Sequence, residues 1–281
     1  MGLPQELVDH IVGVLHNDFR ALTACSLTCK SMFASTRPLI HETLRLTRRN
    51  NEDILTREER KRLRKKSGKR ELRFLSYMGE RGLLQYVRCV DIQDPAIYTP
   101  ENLLPHLHHF RCLDRVHSLT IVHYNAVKWA NHYKTCFIHL YPTLTSLALC
   151  NSFGSYQAIM QFALQFPNLE NLTIELLQVG GMLDPTTTAI GQSPPLCGHL
   201  RLVGYDTTTE WPGSTDLAHA LLNGFNFRTV ELEAFWGDRV QQMLQSCAHT
   251  LEDLTIIPHK TGEYRLSFPL SAKLAVQFLV S

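Results

Sequence analysis

Long apolar runs are missing from this sequence. Nothing in it approaches the roughly 18 consecutive apolar residues that a membrane-spanning helix requires. The opening MGLPQELVDHIV carries acids where a secretory leader would have a basic start and an unbroken apolar core. An intracellular chain, cytoplasmic and/or nuclear, with no membrane partner is therefore expected. Paired cysteines are missing as well: Cys25, Cys29, Cys89, Cys112, Cys136, Cys150, Cys197 and Cys247 are scattered, with no C-x-x-C pair of the kind zinc and redox sites use. Cys25 and Cys29 stand one helical turn apart and read as small apolar residues of a core, so no disulfide framework is expected. The sequence also lacks a P-loop, a G-x-G-x-x-G turn, a G-x-S-x-G elbow and an H-E-x-x-H pair. Its densest histidine cluster, His106, His108 and His109, has no fourth ligand nearby. These absences leave no candidate catalytic residue, metal site or cofactor, and a non-enzymatic role is expected.

What is present suffices for a sizeable core. The chain of 281 residues is 44% hydrophobic and 19% charged, the balance of a globular protein with room for a second, smaller module. Net charge is only +2, but residues 48–73 hold 12 Lys or Arg against 5 acids, while the rest of the chain holds 16 against 21. The two regions should behave differently. In the basic stretch Glu58 and Glu59 precede Arg62 by three or four residues, the order that supports a solvated helix. It reads as a charged linker or helix over 47–76, with Lys61, Arg62, Lys65 and Lys66 exposed because burying unpaired charge is costly. The run Arg60 to Lys66 also has the form of a nuclear import signal or of a phosphate-binding patch. No aromatic residues interleave with those charges to stack bases, which argues against nucleic acid as the partner.

The N-terminal stretch reads as three short helices. Leu3, Leu7, Ile11 and Leu15 recur every four residues with Val8 and Val12 beside them, an apolar stripe on one helix whose first turn accommodates Pro4. Asp18 is a good N-cap for a second helix carrying Phe19, Leu22, Cys25, Leu27 and Cys29, and residues 30–42 supply a third. Some forty residues in three helices rarely bury that much apolar surface among themselves, so the surplus calls for a partner. Leu3-Pro4-x-Glu6-Leu7, Ile11, Leu15, Ala24-Cys25-Ser26-Leu27-x-Cys29-Lys30 and Arg37-Pro38, in that order, resemble an F-box of the kind abundant in mushroom-forming fungi. The resemblance implies that Leu3, Pro4, Leu7, Ile11, Leu15, Leu22, Leu27, Cys29 and Phe33 divide between the core of residues 1–46 and a face that docks onto a Skp-type adaptor. Many F-boxes carry Trp after the Cys-Lys pair; here Met32 is followed by Phe33.

Residues 77–281 repeat themselves. An apolar triplet at positions 1, 4 and 6 recurs as Val87-Val90-Ile92, Val116-Leu119-Ile121, Leu144-Leu147-Leu149, Leu169-Leu172-Ile174, Cys197-Leu200-Leu202, Phe227-Val230-Leu232 and Leu251-Leu254-Ile256, at steps of 29, 28, 25, 28, 30 and 24 residues. Between the triplets the period becomes helical, as in SYQAIMQFALQF, DLAHALLNGF and DRVQQMLQSCAHTL. The pattern resembles irregular leucine-rich repeats, although the usual repeat asparagine or cysteine is not consistently placed. The expected fold is mixed α/β: a three-helix unit, then an arc with a parallel sheet on its concave side and helices outside. An ordinary doubly wound sheet is the alternative. Loops after the strands would present Tyr124, Trp129, Phe153, Tyr156, Tyr205, Trp211, Phe235 and Trp236 as candidate anchors for a target protein.

Together the two resemblances imply a substrate-recognition subunit of an SCF-type cullin-RING ubiquitin ligase. Such a subunit joins a Skp-type adaptor, and through it a cullin, to an unknown protein substrate. A free-standing leucine-rich-repeat scaffold outside any ligase is the second reading. Nucleic-acid binding through the basic segment is the third.

Overall fold

The computed structural model describes residues 3–46, 70–93, 108, 112–123, 142–151, 159, 162–175, 196–203, 225–233, 250–257 and 266–269. It is a mixed α/β protein in which three N-terminal helices lead into a nine-stranded sheet. The helices are α1 (Gln5–Val14), α2 (Phe19–Ser26) and α3 (Lys30–Ile40). Pro4 stands at the N-cap of α1 with an extended φ/ψ. Asp18 caps α2 as its residue type suggests, its carboxylate accepting from the backbone N–H groups of Arg20 and Ala21. Cys29, expected within the second helix, instead caps the third, its Sγ accepting from the Met32 N–H.

The strands are β1 (Thr43–Leu46), β2 (Cys89–Ile92), β3 (Ser118–Val122), β4 (Ser146–Cys150), β5 (Asn171–Glu175), β6 (Leu196–Val203), β7 (Phe225–Glu233), β8 (Asp253–Ile257) and β9 (Leu266–Pro269). They lie in chain order from edge to edge, parallel from β1 through β8, with β9 antiparallel to β8. A doubly wound sheet reverses its strand order at a switch point. This sheet does not, and that alternative is set aside.

The pairing register explains the repeat. Val90, Leu119, Leu147, Leu172, Leu200, Val230 and Leu254 stand side by side across β2 to β8, as do Ile92, Ile121, Leu149, Ile174, Leu202, Leu232 and Ile256 two residues on. Side chains two apart on a strand share a face, so both rows enter one core. They are joined there by the position 1 residues Val87, Val116, Leu144, Leu169, Phe227 and Leu251. The carbonyl of position 2 accepts from two successive N–H groups of the next unit: Glu42 from Arg88 and Cys89, Arg88 from His117 and Ser118, His117 from Thr145 and Ser146, and Thr145 from Glu170 and Asn171. Residues just before position 1 reach back in the same way. The Thr143 hydroxyl donates to the Val116 carbonyl at 2.8 Å, that of Thr250 to Phe227 at 3.2 Å, and the Asn168 amide to Pro142.

Two boundaries differ from the sequence reading. The sheet begins inside residues 1–46, because β1 places Leu44 and Leu46 in the same two rows, next to Val90 and Ile92. This unit escaped the pattern because His41 fills its first position and 46 residues separate Leu44 from Val90. The linker drawn over 47–76 ends in core structure: residues 70–80 are helical, and Leu72, Leu75 and Met78 are buried in the main core. That helix closes in a Schellman arrangement, with the Leu83 N–H donating to the Met78 carbonyl, the Gly82 N–H to Gly79, and Gly82 at φ 64°. Arg60 to Lys66 lie outside the described residues. Of the segments with a helical period between strands, residues 159, 162–166, 225, 250 and 251 are described, and Ile159, Phe162, Ala163, Phe166 and Leu251 pack into the same core.

His41 is partly buried at the head of β1. Burial first, and the Arg37 charge second, hold its imidazole below the ordinary value of 6.5. Burial does the same to His199, whose neighbour Glu231 opposes the shift and Arg201 adds to it. Folding thus favours the neutral rings, and the unfolded chain takes up protons first as pH falls through about 6.5. The thermal midpoint should drop as pH is lowered from 7.5 to 5.5, and less steeply in His41→Leu, measured by calorimetry. Equal slopes would count against the assignment. Gly198 tests the sheet itself: at φ 127°, a Cβ there would collide with the Glu170 backbone, beside the register shift at Gly198/His199. Gly198→Ala should cost about 1–3 kcal/mol of stability by denaturant titration.

Candidate partner-docking surface

The three-helix unit has a small core of its own. Val8, Val12 and Leu22 are its fully buried apolar residues, with Leu15, Met32, Leu39 and Ile40 packed against them. A polar clasp holds α1 to α3. The Gln5 amide nitrogen donates to Asp9 and to the Ser35 hydroxyl, both at 2.8 Å, while the Ser31 hydroxyl donates to the Gln5 carbonyl oxygen at 2.6 Å. The Ser35 hydroxyl donates to Asp9 at 2.6 Å. Ser35 first and Gln5 second hold the Asp9 carboxyl below its ordinary value.

The other side of α1 is apolar and uncovered. Leu3 is 59% exposed, Leu7 50%, Ile11 39% and Val14 71%. Leu7, Ile11 and Val14 follow the i, i+4, i+7 spacing and fall within about 40° of a common direction on the helix. The single stripe expected from sequence is therefore two adjacent faces: Val8, Val12 and Leu15 turn inward, and Leu3, Leu7, Ile11 and Val14 outward. Leaving a Leu or Ile half exposed forgoes on the order of 1 kcal/mol of the stabilisation that full burial would supply. Phe19, Leu27 and Phe33 are exposed too, Leu27 at 83%.

Of the residues that the resemblance divides between the core and a docking face, Leu3, Pro4, Leu7, Ile11, Leu27, Cys29 and Phe33 are exposed, and Leu15 is half-buried. Leu22 falls to the core and is removed from the docking candidates. At 2% exposure it is core and presents nothing to a partner. Met32 also turns toward that core, whereas Phe33 faces outward. Val14 and Phe19 were missed as surface residues. For Val14 the signal was there, three residues beyond Ile11 on the same face.

Arg37 ties this unit to the sheet. Its guanidinium lies 5.8 Å from the Phe33 ring centroid and 5.6 Å from that of Tyr86, and its Nη2 donates to the Arg81 carbonyl at 3.2 Å. Tyr86, in the single turn Leu84–Tyr86, packs against the main core.

A second surface is the sheet face opposite the core. Arg45, Asp91, Thr120, Ala148, Thr173, Arg201, Glu231 and Thr255 form one row across β1 to β8, each the register partner of the next. Arg201 and Glu231 pair at 3.4 Å. Burial raises the Asp91 carboxyl, and the Arg45 charge opposes that rise. The small side chains of β3, β4 and β5 are flanked by charged ones on β1, β2, β6 and β7. The loop aromatics Tyr124, Trp129, Phe153, Tyr156, Tyr205, Trp211, Phe235 and Trp236 lie outside the described residues, as do His106 and His109. His108 is exposed.

Comparison of the chain with protein-family models, with curated proteins and with solved structures finds no match in any of the three. Among the described residues no helix is long and apolar enough to cross a membrane.

The two surfaces carry thiols of opposite character. Cys29 is exposed, and the Met32 N–H holds its thiol below the ordinary value. Burial, helped by Glu175 and Asp91, pushes Cys150 up to about 12. At pH 8 iodoacetamide should modify Cys29 at least ~100-fold faster than Cys150, because the thiolate is the reacting form. Peptide mass spectrometry over a time course gives the ratio, and comparable rates would contradict this picture of the site.

Proposed function

We propose that this chain is a non-catalytic substrate receptor of an SCF-type cullin-RING ubiquitin ligase, in which the three-helix unit is an F-box that docks onto a Skp-type adaptor. The observation that carries the reading is the outward stripe Leu3, Leu7, Ile11 and Val14 on a unit whose own core holds only three fully buried apolar side chains. A helix with two apolar faces, one of them unpartnered, is what an obligate docking element looks like before its partner arrives. The Leu3-Pro4-x-Glu6-Leu7 opening and the Cys29-Lys30 pair support the same reading from the sequence. Phe33 takes the role of the aromatic that many F-boxes place one residue earlier, since Met32 is used inside.

The sheet-bearing remainder is, on this reading, a leucine-rich-repeat-like body. Seven apolar triplets at steps of 24 to 30 residues, paired in parallel register, support it. It holds the target protein, and the polar sheet face is the surface we assign to that contact. No chemistry is needed in this chain. A receptor accelerates ubiquitin transfer by raising the local concentration of substrate lysines near the transferring enzyme, and it needs a rigid path between its two surfaces. The Arg37 clamp between Phe33, Tyr86 and Arg81 supplies part of that path.

The adaptor contact is directly testable. Leu7→Ala with Ile11→Ala should weaken binding of a purified Skp-type adaptor by about tenfold to a thousandfold, the range for truncated interface anchors. Leu3→Ala with Pro4→Ala should act in the same direction. Both double variants should keep the wild-type thermal midpoint, because the replaced side chains lie outside either core. Undiminished adaptor affinity in both variants, or no adaptor binding by the wild type, would replace this reading with that of a free-standing repeat scaffold.

A further inference from the structure

The helix over residues 70–80 has an outward face that neither proposed surface uses. Its inward residues Leu72, Leu75 and Met78 are buried, and Glu71 is turned in with them at 8% exposure. Outward stand Arg70, Arg73, Phe74, Tyr77 and, at the helix end, Arg81, all exposed. Phe74 is 46% and Tyr77 50% exposed, and the Arg81 guanidinium lies 5.6 Å from the Tyr77 ring centroid. The spacing i, i+3, i+4, i+7, i+11 keeps all five within one stripe about 100° wide. Glu80 is the exposed acid of this helix.

Within residues 48–73 no aromatic rings interleave with the basic residues, which by itself disfavours nucleic acid. The folded chain removes that objection for this helix. Its inward side hides Glu71 and the aliphatic residues, and its outward side sorts three arginines and two rings onto one strip. We propose that this strip binds single-stranded nucleic acid, the arginines meeting phosphates while two neighbouring bases stack on Phe74 and Tyr77.

Charge and shape favour that occupant. Three cations against one acid fit a polyanion, and the preceding residues 48–69, with 10 Lys or Arg against 4 acids, add long-range attraction without belonging to the site. Rings three residues apart on a helix stand about 5–6 Å apart, within reach of two successive bases, and stacking tolerates any base. A duplex would meet the arginines but keep its bases stacked within itself, leaving the rings unused. A lipid surface is a poor fit because an interfacial helix needs a free apolar face, and the apolar face of this helix is already in the core. The inference is independent of the ligase reading.

The test uses the full chain and a fluorescein-labelled oligo(U) of about 20 nucleotides, followed by anisotropy. Wild-type protein should bind with an affinity that falls as salt rises, with a slope near −2 in log–log form for about three phosphate contacts. Phe74→Ala with Tyr77→Ala should weaken binding at least tenfold with no change in the thermal midpoint. Tyr77→Phe should bind as the wild type does, and Arg73→Ala should flatten the salt dependence. Any of four results would overturn the proposal: no binding, equal affinity of the ring-deleted variant, equal affinity for a duplex of the same length, or tighter association with phosphatidylserine vesicles than with the oligonucleotide.

Discussion

Register-matched burial of three apolar rows is the constraint on which the rest of this structure depends. Each strand from β2 to β8 places its fourth and sixth positions opposite the same positions of its parallel neighbours, and apolar first positions such as Val116, Leu144 and Leu169 join them from the turn before the strand. A single unit of this kind has one face to hide and nothing to hide it against, so the units are stable only as a stack. A slip of one residue between neighbours would turn an entire row from core to solvent. The paired N–H bonds onto the carbonyls of Glu42, Arg88, His117 and Thr145, and the back-reaching Thr143, Asn168 and Thr250, lock these units against such a slip.

The N-terminal helices are attached to this stack rather than built into it. Their contact with the sheet runs through the short link from α3 into β1 and through Arg37, which stacks on Phe33 of its own helix and on Tyr86 across the boundary. Because β1 belongs to the sheet, α3 and the first strand are separated by only two residues, His41 and Glu42. The Glu42 carbonyl is already committed to Arg88 and Cys89. The exposed apolar face of α1 is thereby held at a set orientation to the polar sheet face, which the proposed receptor role would require.

The helix over 70–80 shows the same economy in a smaller element. One side is buried in the main core, and the other is left with exposed arginines and rings. Residues that a fold does not need for packing are free to serve contacts elsewhere.

The sequence by itself determined the rows of the sheet and the three N-terminal helices. Spacing of Leu, Val and Ile at positions 1, 4 and 6 marks a strand wherever it recurs, and Asp18 and the apolar period mark the helices, because both signals are local. Tertiary structure alone decided three matters. It divided the apolar residues of α1 into an inward and an outward face, so that Val8 and Val12 became core while Leu7, Ile11 and Val14 stayed exposed; four-residue spacing cannot say on which side the neighbouring helices will pack. It recruited Thr43–Leu46 as the first strand, although His41 breaks the apolar triplet and the next unit lies 46 residues on, because pairing is chosen by backbone partners and not by period. And it gave the end of a stretch read as a charged linker or solvated helix a buried side, because whether Leu72, Leu75 and Met78 meet a core depends on where the sheet lies.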